Sequence, residues 1–255
     1  MRASQLIELF VEIAGDVRTA IDDVPVWGPS GRRPDQYTID VAADEQVIAR
    51  LVANGLAVLS EESGTTGNDN ADVLVVVDPI DGSTNAAAGL PWFATSFCAL
   101  DAQGPLAAVV VNQATGDVWH AIRGDGAWRN QVAISTSSIN RLDQALVAVS
   151  GLPAVHLGWK QFRCYGAAAL DLCAVADGTF DAFADLSVDA HGSWDYLGGL
   201  LILREAGGVI TDAQGRDLVA RGHKDRRTPI GAASTELHDE LGRAMSDHWA
   251  ALSRQ

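Results

Sequence analysis

The amino-acid sequence predicts a layered fold of mixed α/β type, and three features carry that prediction. Val73-Leu74-Val75-Val76-Val77 is a continuous apolar, mostly β-branched run with the pattern of a strand buried on both faces. Between residues 93 and 128, short apolar segments recur with Gly, Asp or Gln between them, as in consecutive antiparallel strands. Beyond about residue 145, strand-like and helix-like segments alternate.

Taken in order, Leu6 to Ala14 with charges at Glu8, Glu12 and Asp16 reads as an amphipathic helix and not as a signal peptide. Pro25 to Asp35 is too rich in Pro and Gly for regular structure and reads as a loop. Asp40 to Ala53 suits a second helix, with Val41, Val47, Ile48, Leu51 and Val52 as its apolar positions. A short strand, Leu56 to Leu59, follows and ends at Glu61-Glu62. The strand at Val73 to Val77 is expected to stop at Asp78-Pro79, because Pro lacks a ladder donor. Phe93 to Leu100, Leu106 to Asn112, Val118 to Ile122 and Ala127-Trp128 form the antiparallel set. Ala145 to Ser150, Gly166 to Ala176, Phe180 to Leu186, Ser193 to Ala206 and Val209 to Asp212 complete the alternating part. No repeat, low-complexity tract or flexible linker divides the chain. It is expected to be one domain over residues 1–255, with an α+β half over 1–143 and an α/β half over 144–255.

A net formal charge of −15 opposes nucleic-acid binding, and the one dense basic run, Arg221 to Arg227, is broken by Gly222 and Asp225. The same charge repels phosphate-bearing small molecules, so an enzyme acting on them needs bound cations to reverse the local field. Cys98, Cys164 and Cys173 are odd in number and lack C-x-x-C spacing, which excludes a disulfide framework or zinc site and fits buried thiols. No stretch reaches the roughly 20 apolar residues of a membrane span. A cytoplasmic protein is expected.

Chemistry concentrates where the buried strand ends. In Asp78-Pro79-Ile80-Asp81-Gly82-Ser83-Thr84-Asn85, the bend at Pro79 allows Asp78, Asp81 and the Ile80 carbonyl to face one hard cation. Gly82, Ser83 and Thr84 then open a short helix whose free N–H groups suit a phosphate. D-P-x-D-G is also ordinary turn chemistry. Other acids at element ends decide against that plain reading. Glu61-Glu62 closes an apolar strand, where adjacent side chains point opposite ways, so Glu61 is expected in the cluster and Glu62 toward solvent or a basic partner. Asp195 opens the segment Trp194 to Gly208, whose internal Gly198-Gly199 each cost about 1 kcal/mol in a helix and point to close backbone packing.

These segments resemble the inositol monophosphatase family of lithium-sensitive, magnesium-dependent sugar phosphatases. Asp78 to Asn85 is similar to its D-P-[IL]-D-G-[ST]-x-[NE] signature, and Trp194-Asp195 through Glu205-Ala206-Gly207-Gly208 to its W-D…E-A-G-G segment. Glu61-Glu62-Ser63 resembles its E-E-[ST], and Gly124 to Asn130 its G-x-G-A-x-x-N turn. With Gly166-Ala167-Ala168, the resemblance spans about residues 40 to 235.

The resemblance implies an αβαβα sandwich of the inositol monophosphatase / fructose-1,6-bisphosphatase type and two or three Mg²⁺ per site. It implies Glu61, Asp78 and the Ile80 carbonyl on one ion, with Asp78, Asp81 and Asp195 on another. It further implies Ser83 as the hydroxyl that orients the attacking water, Asp44 as its acidic partner, and backbone amides of Gly82, Ser83 and Thr84 on the phosphate. Gly166 and Ala168 would line the substrate's alcohol portion, and Asp185 or Asp189 would contact a sugar hydroxyl. Arg32 or Arg33 could reach the phosphate. The six histidines, His191 among them, are read as surface or structural. The implied substrate is a small phosphorylated polyol or sugar, with inositol 1-phosphate first. Fructose 1,6-bisphosphate, histidinol phosphate and a nucleotide 3′-phosphate are the alternatives, and a metal-responsive regulator with little turnover is the competing class. The family also implies a homodimer, for which Trp159 offers an apolar contact.

Overall fold

A computed structural model describes residues 1–34 and 36–252; Asp35, the last residue of the expected loop, lies outside them, as do residues 253–255 of the expected domain. Helices α1 (Ala3–Asp22) and α2 (Thr38–Ala53) lead into β1 (Ala57–Ser60), β2 (Gly64–Gly67), β3 (Leu74–Asp81) and the five-residue α3 (Ser83–Ala87). The meander β4 (Ala94–Asp101), β5 (Gly104–Asn112), β6 (Val118–Ile122), β7 (Gly126–Arg129) and β8 (Val132–Ala133) follows. Then come β9 (Leu146–Ser150), β10 (Gln161–Arg163), α4 (Ala168–Ala176), β11 (Ala182–Asp185), α5 (Ser193–Glu205), β12 (Val209–Asp212), β13 (Pro229–Ala232) and α6 (Thr235–Leu252).

The strands form an eight-stranded sheet, β2-β1-β3-β4-β5-β6-β7-β8, and a five-stranded one, β10-β9-β11-β13-β12. In the first, only the β1–β3 pairing is parallel, as the antiparallel expectation for residues 93–128 requires. The second is mixed: β10, β9 and β11 run parallel, and β13 pairs antiparallel with β11 and β12.

Three apolar clusters define the layers. The period-2 alternation of β3 sends Val75 and Val77 to the cluster formed with α1 and α2, and Val76 to the cluster formed with α4 and α5. The same alternation recurs on β4, where Phe97 and Ala99 face outward and Cys98 and Leu100 inward. The far face of the second sheet packs Val147, Val149 and Ala184 against Leu237, Leu241 and Met245 of α6. The order is therefore helix pair, sheet, helix pair, sheet, helix, the αβαβα sandwich expected.

Gly198 and Gly199 show why α5 tolerates two adjacent glycines. A Cβ on Gly198 would lie 2.6 Å from Ser96 Oγ on β4, and one on Gly199 would lie 2.6 Å from Leu172 Cβ on α4. The helix is wedged between a sheet and a second helix, and each glycine admits one neighbour.

Two expectations change. Strand β3 does not stop at Pro79 but runs to Asp81, with its register against β4 breaking between Asp78 and Asp81. The break removes the need for a ladder donor at Pro79. Trp159, expected as an exposed apolar contact, is 3% exposed and belongs to the core beside α6. No helix among the described residues is long and apolar enough to cross a membrane.

Candidate active site

The site forms where β1, β3 and α5 meet. Parallel pairing sets Ser60 of β1 beside Val77 of β3, so Glu61 leaves β1 level with Asp78. The N-terminus of α5 comes in from the next layer with Asp195 in its first turn. Carboxylate oxygens of Glu61, Asp78 and Asp195 all lie within 4.8 Å of one another. Asp81 lies alongside them, with Oδ2 accepting the Ala169 N–H at 2.7 Å where α4 begins. Asp78 Oδ1 accepts the Ile80 N–H at 2.9 Å, which bends the chain at Pro79 and fixes that carboxylate.

Burial dominates the electrostatics. It pushes Glu61 up to about 8, and the negative charges of Asp195 and Glu62 add to the effect. Burial, followed by Glu61, Asp81 and Asp195, holds the Asp78 carboxyl well above the usual range. Asp81 rises through burial and Asp195, against the Ala169 N–H. Asp195 rises through burial, against His191 and the Gly192 N–H that it accepts at 2.7 Å. None of the salt bridges among the described residues involves these four acids. Crowded carboxylates that repel one another, with His191 and Arg226 near Asp195 but no salt bridge to any of them among the described residues, suit a hard divalent cation, which supplies the missing charge through oxygen ligands.

Glu62 turns the other way, as expected of its neighbour's alternate, and is held by Arg33 and Gln36. Arg33 is thereby committed to Glu62, and Arg32 is exposed. Gly82 adopts φ +87°, and a Cβ there would meet Ala167 Cβ, the Trp92 carbonyl and the Gly166 carbonyl at 3.1–3.2 Å. Only glycine makes this turn into α3. The N–H groups of Ser83 and Thr84 open that helix without an acceptor among the described residues.

Asp44, the expected partner of Ser83, is bonded elsewhere. It accepts from Ser60 Oγ at 2.5 Å and Ser63 Oγ at 3.3 Å, which ties α2 to the β1–β2 turn. Asp40, one helical turn earlier, faces Ser83 instead. Its Oδ2 accepts the Tyr37 N–H at 2.7 Å, and its Oδ1 is buried without a hydrogen-bond partner. Burial pushes Asp40 up to about 7, against the Tyr37 N–H; Glu62 adds to the rise, and the nearby Ser83 hydroxyl and Arg33 oppose it.

The two acids expected to contact a substrate hydroxyl are both held by groups of the protein itself. Asp185 is completely buried, accepting the Ser187 N–H at 2.9 Å through Oδ1 and meeting His191 Nδ1 at 2.8 Å through Oδ2. Asp189, at φ +54°, points to Arg216 and Gln214. A polar recess of about 230 Å³ beside the cluster is instead lined by Asp81, Asp195, Gly166, Ala168, Asp171 and His191. Gly166 and Ala168 line this recess, and so do His191, read from the sequence as surface or structural, and Asp171, which the sequence did not single out. Burial alone would lower His191, but the bond to Asp185 and the charges of Asp195, Asp185 and Asp81 raise it to about 9. Burial pushes Asp171 up to about 7, against the Trp92 Nε1–H bond at 2.9 Å. The other histidines are structural: His223 meets the Glu61 carbonyl, His248 the Leu186 carbonyl, His238 Thr211, His120 stacks on Trp128, and His156 bonds within its own loop.

Comparison with known proteins places the whole chain among related sequences and folds. A fructose-1,6-bisphosphatase/inositol-1-monophosphatase from Archaeoglobus fulgidus is 33% identical over 246 residues, covering 90% of this chain and 94% of that protein. A Nus factor SuhB from Pasteurella multocida is 33% identical over 195 residues, covering 69% of this chain and 71% of that protein. The structure of an inositol monophosphatase from Anabaena (Nostoc) sp. PCC 7120 superposes with a TM-score of 0.80 at 25% identity, over 99% of each chain. The sequence profile of the Inositol monophosphatase family matches residues 36–250, from the Gln36 that holds Glu62 to the last turns of α6. That match covers most of the chain, and the chain belongs to the inositol monophosphatase family.

Proposed function

We propose that the protein is a magnesium-dependent phosphatase of a small polyol monophosphate, with inositol 1-phosphate as the first substrate. The observation that carries this reading is the convergence of Glu61, Asp78 and Asp195 within 4.8 Å beside the start of α3. Glu61, Asp78, Asp81, Asp195 and the Ile80 carbonyl would hold the metal. Bound Mg²⁺ supplies Lewis acidity and positive charge at the phosphate.

The chain's own groups do the rest. The Ser83 and Thr84 N–H groups, with Gly82 shaping the turn, bind phosphate oxygens. The Ser83 hydroxyl, backed by Asp40 in place of Asp44, orients a water for attack. Burial of the cluster keeps competing solvent away and strengthens each of these interactions. The polar lining of the recess beside Asp81 and Asp195 suits the hydroxyl-bearing alcohol portion of a sugar or polyol.

The Archaeoglobus relative's name also supports action on fructose 1,6-bisphosphate. The Pasteurella relative is named a Nus factor, which leaves room for a second reading as a metal-responsive regulator, against which the acid cluster argues. The deciding assay measures phosphate release, with magnesium and with a chelator, from inositol 1-phosphate, fructose 1,6-bisphosphate, histidinol phosphate and adenosine 3′,5′-bisphosphate. Magnesium-dependent release, fastest from inositol 1-phosphate, is expected. No release from any of them at saturating magnesium would sink the phosphatase reading.

A further inference from the structure

His191 is the residue that neither the acid cluster nor the phosphate turn accounts for. Its ring is held on two sides. Nδ1 meets the completely buried Asp185 at 2.8 Å, and Phe183 packs edge-on with ring centroids 6.3 Å apart. Its backbone is pinned as well, because it exchanges N–H···O bonds with Arg227 in an isolated bridge. Nε2 has no hydrogen-bond partner among the described residues, and the residue lines the recess beside Asp81 and Asp195. A ring fixed at one nitrogen and open at the other is how proteins aim an imidazole.

Asp171 lines the same recess. Its Oδ1 is committed to Trp92 Nε1 at 2.9 Å, which fixes the carboxyl and leaves Oδ2 as the remaining acceptor. An imidazole nitrogen and a carboxylate oxygen that face one small polar recess complement neighbouring hydroxyls. A hydroxyl both donates and accepts, so it matches Nε2 in either protonation state and Asp171 as a donor. A second phosphate would instead be set against Asp171 and the acid cluster.

We propose that His191 is a specificity-determining residue, with Nε2 hydrogen-bonded to a hydroxyl on the alcohol half of the substrate, Asp171 taking a neighbouring hydroxyl and Asp185 acting as a positioning residue. This rests on the phosphomonoester reading for the phosphate half only. It replaces the acid-to-hydroxyl contact expected of Asp185 or Asp189, both of which the fold commits elsewhere.

Two substitutions separate a substrate contact from a strut. His191→Asn keeps an amide near the Nδ1 position and loses the reach to the recess, whereas His191→Gln extends an amide to the Nε2 position and abandons Asp185. Binding is measured by calorimetry in magnesium for the non-hydrolysable phosphonate analogue of inositol 1-phosphate and for inorganic phosphate. The wild type should prefer the phosphonate. His191→Asn should lose about five- to tenfold of that preference, the factor expected of one net hydrogen bond, with phosphate affinity unchanged. His191→Gln should keep the preference within about twofold.

A wild type without preference, or a preference unaltered in His191→Asn, overturns the proposal. Equal loss in both variants also overturns it, since it makes the ring a strut for Asp185. Failure of the two readings is distinguishable: absent turnover with intact preference sinks the phosphatase reading, and turnover with an unaltered preference sinks the role of His191.

Discussion

At the scale of single residues, the position of each carboxylate decides what its removal does. Asp81→Asn retains an acceptor for the Ala169 N–H while removing one charge from a cluster that repels itself. Its thermal midpoint without metal should equal or exceed the wild type's, while phosphate release falls by about 100-fold or more, beyond what loss of a supporting group costs a metal site. Near-normal turnover would remove Asp81 from the cluster. Asp40 and Asp44 make a second contrast. Asp40→Asn should lower kcat by about 10- to 100-fold with little change in KM, because the amide oxygen still accepts the Tyr37 N–H while the charge behind Ser83 is lost. Asp44→Asn should keep kcat within a few-fold and cost about 1 kcal/mol in urea unfolding through weakened bonds to Ser60 and Ser63. The reverse pattern would restore Asp44 to the hydroxyl. The two acids are four apart on α2 and share one face, so sequence spacing could not choose between them. Asp185 posed a harder problem of the same kind: its type suited a substrate contact, and only the fold shows His191 standing in front of it.

At the scale of elements, much was legible because the patterns were strong and local. The run at Val73 to Val77, the meander from Phe93 to Trp128 and the glycine pair in α5 each state their own periodicity or packing need. What was missed lacked such a signal or hid it. Strands β2, β8, β10 and β13 have two to four residues each and take their pairing from neighbours. Helix α6 did leave a trace: Leu237, Leu241, Met245 and His248 recur at helical spacing and are all fully buried, but a histidine within an acidic segment disguises the stripe. Two quoted motifs also prove to be a single device, because both oxygens of Glu205 at the end of α5 accept N–H groups of the β6–β7 turn, from Gly124 at 2.9 Å and Gly126 at 3.1 Å. The wedge that α5 forms gives the sharpest test at this scale. Gly199→Ala gains about 1 kcal/mol of helix propensity but drives a methyl to 2.6 Å from Leu172 Cβ, an overpacking that costs about 1–3 kcal/mol. Chemical denaturation should show net destabilisation of up to about 2 kcal/mol. A stabilised variant would mean that α4 and α5 slide freely past each other.

At the scale of the whole molecule, a chain of net charge −15 gathers Glu61, Asp78 and Asp195 at one point beside the buried Asp81, and the fold bears that cost until cations arrive. A carboxyl whose folded value is raised holds its proton more tightly folded than unfolded, so stability falls as pH rises from the unfolded value to the folded one. For Glu61 that interval runs from 4.5 to about 8. His191 adds to the trend, since its contribution is complete below 6.5 and is lost as pH passes about 9. Asp101 and Asp212, lowered chiefly by hydrogen bonds from Arg123 and, against burial, from Arg216, act only below the ordinary carboxylate value. The metal-free protein should therefore lose thermal stability steadily between pH 5 and pH 8. Cations compete with those same protons, so magnesium should stabilise more at pH 8 than at pH 5. At about 100 times its dissociation constant the gain is about 2.7 kcal/mol, which in a chain of this size raises Tm by about 5–10 °C. Scanning calorimetry at both pH values, with magnesium and with a chelator, measures the effect. An equal magnesium shift at both would show that the ion binds elsewhere on an acidic surface, because only a site built from proton-holding carboxyls ties the metal's grip to pH in this direction.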